Sequence, residues 1–146
     1  MIAYRPMQEA DLEAAAALEA AAFSRPWQRK DFADALQSRN YLYYVAEEDG
    51  RLLAMAGLIL TVDEADLTNV TTAEDCRGRG IAAGLLRALM EAARAGGIHA
   101  FTLEVRAGNA AAIRLYESLG FVREGIRKHF YTAPAEDAYI YWLREK

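Results

Sequence analysis

The chain has 146 residues and a mass of 16.2 kDa, the size of one domain, with a formal charge of −4 and an isoelectric point near 5.2. An acidic molecule is not drawn as a whole to nucleic acid or to an anionic membrane, so any anion it binds must be held locally. One cysteine and two histidines exclude a disulfide framework and a zinc-ligand cluster, and no apolar run is long enough to span a bilayer. The expectation is a single cytoplasmic domain over residues 1–146, without a metal.

Residues 2–5 read as a short strand closed by Pro6. From Gln8 to Phe23, Leu12, Ala15, Leu18 and Ala22 recur at helical spacing, with Asp11 near the start, where a carboxylate suits the helix dipole. Arg25-Pro26 breaks this helix, and a second, shorter one is predicted over 30–38. Tyr41–Glu47 and Arg51–Thr61 are β-rich runs joined through Asp49-Gly50, the strongest hairpin signal in the chain. Leu67–Thr72 continues the antiparallel meander.

Further on, Ile81, Leu85, Leu86, Leu89, Met90 and Ala93 form one apolar stripe, which predicts a helix over 80–95 ending at Gly96-Gly97. His99–Val105 reads as a strand. Asn109 caps a helix that Gly120 stops, and Phe121–Arg127 and Ala138–Leu143 are the last strands. This order predicts an α/β (α+β) mixed sheet rather than a bundle or a regular βαβ array.

"CRGRGIAAGLL", residues 76–86, is the stretch with the most chemical content. Gly78, Gly80 and Ala83 formally fit the dinucleotide-binding pattern, but five residues separate this loop from the preceding strand and the upstream strands read as hairpins, against a Rossmann domain. A Walker A loop fails because no Lys-Ser or Lys-Thr follows the glycine. Backbone N–H groups ahead of a helix make an anion site, and Arg77 and Arg79 add positive charge. On spacing alone, phosphate binding and a plain glycine turn with solvated arginines stand level.

Arg77-Gly78-Arg79-Gly80-Ile81-Ala82 resembles the Gln/Arg-x-x-Gly-x-Gly/Ala acetyl-CoA motif of the GNAT acetyltransferases, and "NVTTAEDCRGRG" sits where they carry their cofactor strand and loop. "LEVRAGNAAAIRLYESLGF", residues 103–121, is similar to the RimI-type ribosomal-protein-alanine N-acetyltransferases at almost every position, and the resemblance covers nearly the whole chain. It implies a mixed, mostly antiparallel twisted sheet with helices on both faces and a splayed central strand pair, and acetyl-CoA as co-substrate. The backbone of Val70, Thr71 and Thr72 would meet the pantetheine arm, Arg77, Gly78, Arg79, Gly80, Ile81, Ala82 and Ala83 the pyrophosphate, and Asn109 the cofactor beside the pantetheine. Glu104 would be the base, directly or through water, and Tyr116 the acid. Trp27 and Tyr131 would lie by the acceptor, a protein N-terminal α-amine, in this branch the alanine of a small-subunit ribosomal protein. Neither nucleic acid nor membrane is an expected partner, and a monomer or weak dimer is expected.

Several of these residues have plainer readings in the sequence. Val70 and Thr72 fit ordinary strand packing, Asn109 a helix N-cap, Tyr116 a core tyrosine, Trp27 a lid packed on the core, and Glu104 an exposed carboxylate paired with Arg106. The chain departs from the branch at Phe130, where a tyrosine is common, and at a shortened loop around 132–135. Asp63, Glu64, Asp66, Glu74 and Asp75 gather near the ends of the strand predicted at 67–72, where they read either as a solvated acidic rim or as a means of drawing in a basic acceptor peptide. An N-terminal amine titrates near 7.7–8.0 and a lysine near 10.4, so one modest carboxylate suffices only for the former. A GNAT acting on a small amine, amino acid or lysine, and a non-catalytic acyl-CoA sensor, are the competing functions.

Overall fold

The computed structural model describes residues 1–132 and 134–145. The strands are β1 (Ala3–Pro6), β2 (Tyr41–Glu48), β3 (Arg51–Leu60), β4 (Glu64–Thr72), β5 (Ala100–Arg106), β6 (Val122–Thr132) and β7 (Ala135–Arg144). Four helices connect them: α1 (Leu12–Ala22), α2 (Arg29–Gln37), α3 (Ile81–Ala95) and α4 (Ala110–Ser118). All seven strands form one sheet in the order β1-β2-β3-β4-β5-β7-β6, antiparallel except where β4 meets β5. At the first hairpin Asp49 and Gly50 both take positive φ (52° and 81°), the geometry that Asp-Gly favours.

β3 reads as a nearly unbroken apolar run because it is covered on both sides. On one face the α3 stripe packs with Ala54, Ala56 and Leu58 of β3, Phe101 and Leu103 of β5, and Tyr116 of α4. On the other, Leu12 and Ala15 of α1 and Phe32 and Ala35 of α2 lie against Tyr43, Val45 and Met55. Burying a leucine or phenylalanine contributes about 1.5–3 kcal/mol, so these two layers anchor the sheet from both faces.

The helix predicted from Gln8 starts later than its periodicity suggests: Glu9–Asp11 form a 3₁₀ turn and α1 follows. The Asp11 carboxylate accepts the Gln8 N–H at 2.8 Å and Nη1 and Nη2 of Arg5 at 2.7 and 2.9 Å, which ties the turn to β1. The Arg5 guanidinium holds the buried Asp11 carboxyl below its ordinary range, against the opposing effect of burial. A carboxyl depressed in the folded state stabilises above its unfolded pKa, and that contribution is lost as pH falls through the folded value. Asp11→Asn is expected to cost about 1–3 kcal/mol at pH 7. The gap to the parent chain should close as pH falls below the ordinary carboxyl range of about 4, which denaturant titrations at a series of pH values measure.

β4 begins three residues earlier than predicted, because Glu64–Asp66 pair with Ala100–Thr102. That is all the pairing the two strands make. Beyond it they diverge, so that residues 67–72 are bonded only to β3 and residues 104–106 only to β7. The last two strands also run longer than predicted, to Thr132 and from Ala135. Register shifts at Arg123/Gly125 and Arg127/Tyr131, with His129 at φ 54°, interrupt β6 before it rejoins the ladder at Tyr131↔Glu136 and Thr132↔Ala135. The shortened loop expected at 132–135 falls partly on Ala133, which lies outside the described residues.

Candidate active site

Three cavities run together around the opening between β4 and β5. The first, about 420 Å³, is lined by Val70, Thr71 and Thr72 of β4, Arg77 and Ala82 at the start of α3, and Asn109, Leu115 and Tyr116 of the α4 region. The second, about 550 Å³, is lined by Glu19, Trp27, Tyr43, Asn69, Arg106 and Tyr131 with neighbours, and shares Phe23 with the first. The third, about 750 Å³, holds Glu64, Asp66, Glu104, Arg127 and Trp142 and shares Thr68 and Tyr131 with the second.

Seven of the residues singled out from sequence therefore line one groove. Its β4 wall offers backbone N–H and C=O groups that no strand occupies on the β5 side. Between Arg77 and Ala82, Gly78 and Gly80 do not themselves line the groove; they take φ of 82° and 74°, a left-handed conformation that only glycine adopts without strain, and a Cβ at either would meet nothing within 4 Å. Gly80 caps α3 without a side-chain bond, leaving the first-turn N–H groups facing outward. Arg77 makes no ion pair among the described residues, whereas Arg79 reaches Glu48 at 3.3 Å. Ile81 is buried in the core, so only its backbone can serve this groove, and Ala83 lies on α3 outside the lining. Cys76 is buried and does not line the groove either.

Asn109 is the N-cap of α4, its Oδ1 accepting the Ala112 N–H at 3.2 Å, and it also faces the groove. Tyr116 is 9% exposed and stacks edge-on against Phe121, yet its hydroxyl makes no hydrogen bond among the described residues. Burial pushes its phenol up to about 12, with Tyr131 adding to the effect. The group is therefore a proton carrier throughout the neutral range.

Glu104 does not pair with Arg106. Its Oε2 lies 3.1 Å from Nε of Arg127, and it faces the third cavity rather than the groove that holds Tyr116. Arg106 instead reaches Oε1 of Glu136 at 3.3 Å and the Pro134 carbonyl at 3.0 Å, with its guanidinium 4.1 Å from the Tyr131 ring centre. Of the acidic residues near β4, Glu64 and Asp66 line the cavity with Glu104, while Asp75 is taken up by Arg51 at 2.7 Å. Trp27 packs on Phe32, Tyr41 and Tyr43 with ring centres 5.3–6.0 Å apart, so it is both a core lid and a wall of the second cavity.

Three residues of the second cavity were not legible as functional. Glu19, absent from the predicted α1 stripe, is buried, while Ala22, assigned to that stripe, is exposed. The only signal is spacing: Leu12, Ala15 and Glu19 share one helix face. Asn69 Nδ2 lies 3.2 Å from both Glu19 oxygens, and Asn69 Oδ1 accepts the Tyr43 hydroxyl at 2.9 Å. Tyr43, buried and pushed up to about 12, sits over Gly57, where a Cβ would come within 2.3 Å of its ring.

An opening between two strands of an otherwise continuous sheet lets two substrates meet from different sides, the arrangement that a group-transfer enzyme requires, and the protonated Tyr116 lines one of the cavities beside it. The chain matches the Acetyltransferase (GNAT) family over residues 12–121. The ribosomal protein bS18-alanine N-acetyltransferase of Escherichia coli K12 is 39% identical over 136 residues, covering 92% of this chain and 91% of that one. The crystal structure of the ribosomal-protein-S18-alanine N-acetyltransferase from Escherichia coli, 38% identical, matches with a TM-score of 0.88 over 99% of this chain and 94% of that one. The structure of yncA from Salmonella typhimurium with its cofactor acetyl-CoA, 22% identical, shares the fold at a TM-score of 0.86, covering 99% and 94%. The chain belongs to the GNAT acetyltransferase family. Among the described residues no helix is long and apolar enough to cross a membrane.

Proposed function

We propose that the enzyme transfers the acetyl group of acetyl-CoA to a protein N-terminal α-amine, in particular the N-terminal alanine of ribosomal protein bS18. The observation that carries this reading is the opening between β4 and β5, which joins a groove suited to the donor with a separate acceptor cavity. The donor fits the groove by its chemistry: an amide-bearing arm finds the free edge of Val70–Thr72, and a pyrophosphate finds the first-turn N–H groups of α3, the open backbone at Gly78 and Gly80, and Arg77. The relatives named for bS18-alanine acetylation support the acceptor. On this reading the enzyme works in the cytoplasm as a monomer or weak dimer.

The acetyl thioester supplies an activated acyl group. As the amine nitrogen bonds to the acetyl carbon, the C–S bond breaks and Tyr116 gives its proton to the departing sulfur. The acceptor enters as an ammonium and loses two protons: one passes through water to Glu104, and the other restores the Tyr116 hydroxyl. Glu104 lies outside the groove, at the neighbouring cavity, which favours the water-relayed route. No acyl-enzyme is needed, since the buried Cys76 thiol lies away from the groove.

Free thiol release from acetyl-CoA is the test, with hexapeptides beginning Ala, Ser, Gly or Met set beside free lysine and a polyamine. The Ala-initiated peptides are expected to give the highest kcat/KM. Turnover confined to lysine or polyamine would replace this reading with a small-amine or lysine acetyltransferase, and acetyl-CoA binding without turnover would make the protein a sensor.

A further inference from the structure

The second cavity contains a charged group that the mechanism above does not use. Glu19 is 5% exposed and lines this cavity, yet no cation lies within ion-pair distance of it among the described residues. Its four contacts are all neutral and long: Asn69 Nδ2 at 3.2 Å from each oxygen, the Trp27 N–H at 3.4 Å and Thr71 Oγ1 at 3.5 Å. A carboxylate removed from water is costly to keep ionised unless something positive compensates it. Neutral donors at such lengths compensate weakly.

The surroundings suit a cation. Trp27, Tyr43 and Tyr131 present aromatic rings to the same cavity, and ring faces attract ammonium groups. Neither arginine of the lining pairs with Glu19: Arg106 is held by Glu136 and the Pro134 carbonyl, and Arg25 is exposed. Position matters as much as charge. Thr71, which touches Glu19, also lines the donor groove, so the carboxylate sits one side chain away from where the acetyl group is brought.

We propose that Glu19 is the anionic floor of the acceptor cavity and binds the acceptor's α-ammonium directly, holding it at the sheet opening before Glu104 takes its proton. This rests on the N-terminal acetyltransferase reading above. It gives the two carboxylates different tasks, with Glu19 recognising the charge and Glu104 receiving the proton. It also supplies a reason for the network of Asn69, Thr71 and Tyr43: they fix the Glu19 carboxylate without neutralising it.

The test compares two ligands in the presence of saturating coenzyme A, so that no turnover occurs: an Ala-initiated hexapeptide and its desamino counterpart, which begins with propionyl. Calorimetry is expected to show the parent chain binding the amine form about tenfold or more tightly, the scale of a hydrogen bond to a charged group. In Glu19→Gln, nearly isosteric, that preference should fall to within about threefold. Coenzyme A affinity should hold, since Glu19 does not line the proposed donor groove, and the amide oxygen still accepts from two of the four donors, so the chain should remain folded. Glu19→Asp should restore part of the preference.

If Glu19→Gln weakens both ligands equally, or keeps the preference for the amine, Glu19 is only a structural residue and the inference is overturned. If the parent chain itself shows no preference, or binds neither peptide while lysine or a polyamine is acetylated, the N-terminal reading fails and this inference fails with it. Thiol release from the parent chain with the Ala-initiated peptide separates the two cases.

Discussion

Tyr116→Phe is expected to lower kcat by about 10²–10⁴-fold while leaving acetyl-CoA affinity within about threefold. The substitution removes one oxygen and keeps the ring, and the ring is what packs: it stacks on Phe121 within the core on the α3 face. The hydroxyl makes no hydrogen bond among the described residues, so its removal orphans no partner and should barely move stability. The proposed role needs a proton on the phenol when the thioester arrives, and burial keeps it there by pushing the group up to about 12. Because a thiolate near 8.5 is the weaker base, the proton can pass only in concert with C–S cleavage, as the amine resupplies it. The alkaline limb of the parent kcat profile, measured below pH 10, should therefore belong to another group. Stopped-flow acetyl transfer is the right measurement, because a slow product release would hide the loss. Unchanged chemistry in Tyr116→Phe would remove it as the acid.

Gly57→Ala is expected to impair acceptor use by a different route. Gly57 faces Tyr43 across β2 and β3, and an added Cβ would come 2.3 Å from the Tyr43 ring. The ring is buried and flanked by Trp27 and Phe32, so it has nowhere to move without disturbing them. Overpacking of this kind costs about 1–3 kcal/mol. Tyr43 also bonds Asn69, and Asn69 holds Glu19, so the displacement passes into the acceptor cavity. Tyr43 does not line the proposed donor groove. Peptide KM should rise at least about tenfold, the effect of losing one charged hydrogen bond, while the acetyl-CoA KM stays near its parent value. Equal loss for both substrates would show that the whole sheet, and not the acceptor cavity, has been disturbed.

Much of the fold was legible because local signals and packing agree. Asp49-Gly50, the α3 stripe, Asn109 and the flanking glycines each fix an element, and each element appears within a few residues of its predicted bounds. The exceptions have physical causes. Asp11 breaks the first helix because its carboxylate serves Arg5 and Gln8, a long-range tie that periodicity cannot contain. β6 outruns its prediction because it bulges around His129 and then recovers the ladder. The first groove was legible because its parts are backbone and short-range sequence: a strand edge, the start of α3 and a helix face eight residues long. The second cavity was legible only at Trp27 and Tyr131, through the resemblance. Glu19, Tyr43 and Asn69 come from three separate elements, and the pairing of Glu104 with Arg127 rather than Arg106 depends on how β6 pairs with β7.

The central claim is that the acetyl group goes to an N-terminal α-amine. One peptide beginning with alanine and carrying a lysine within its first six residues offers both amines to the same enzyme under the same conditions. After incubation with acetyl-CoA, fragment mass spectrometry locates the added acetyl group. The predicted result is acetylation at the N-terminal alanine with the lysine unmodified; acetyl on the lysine side chain, or release of coenzyme A without either modification, would contradict it.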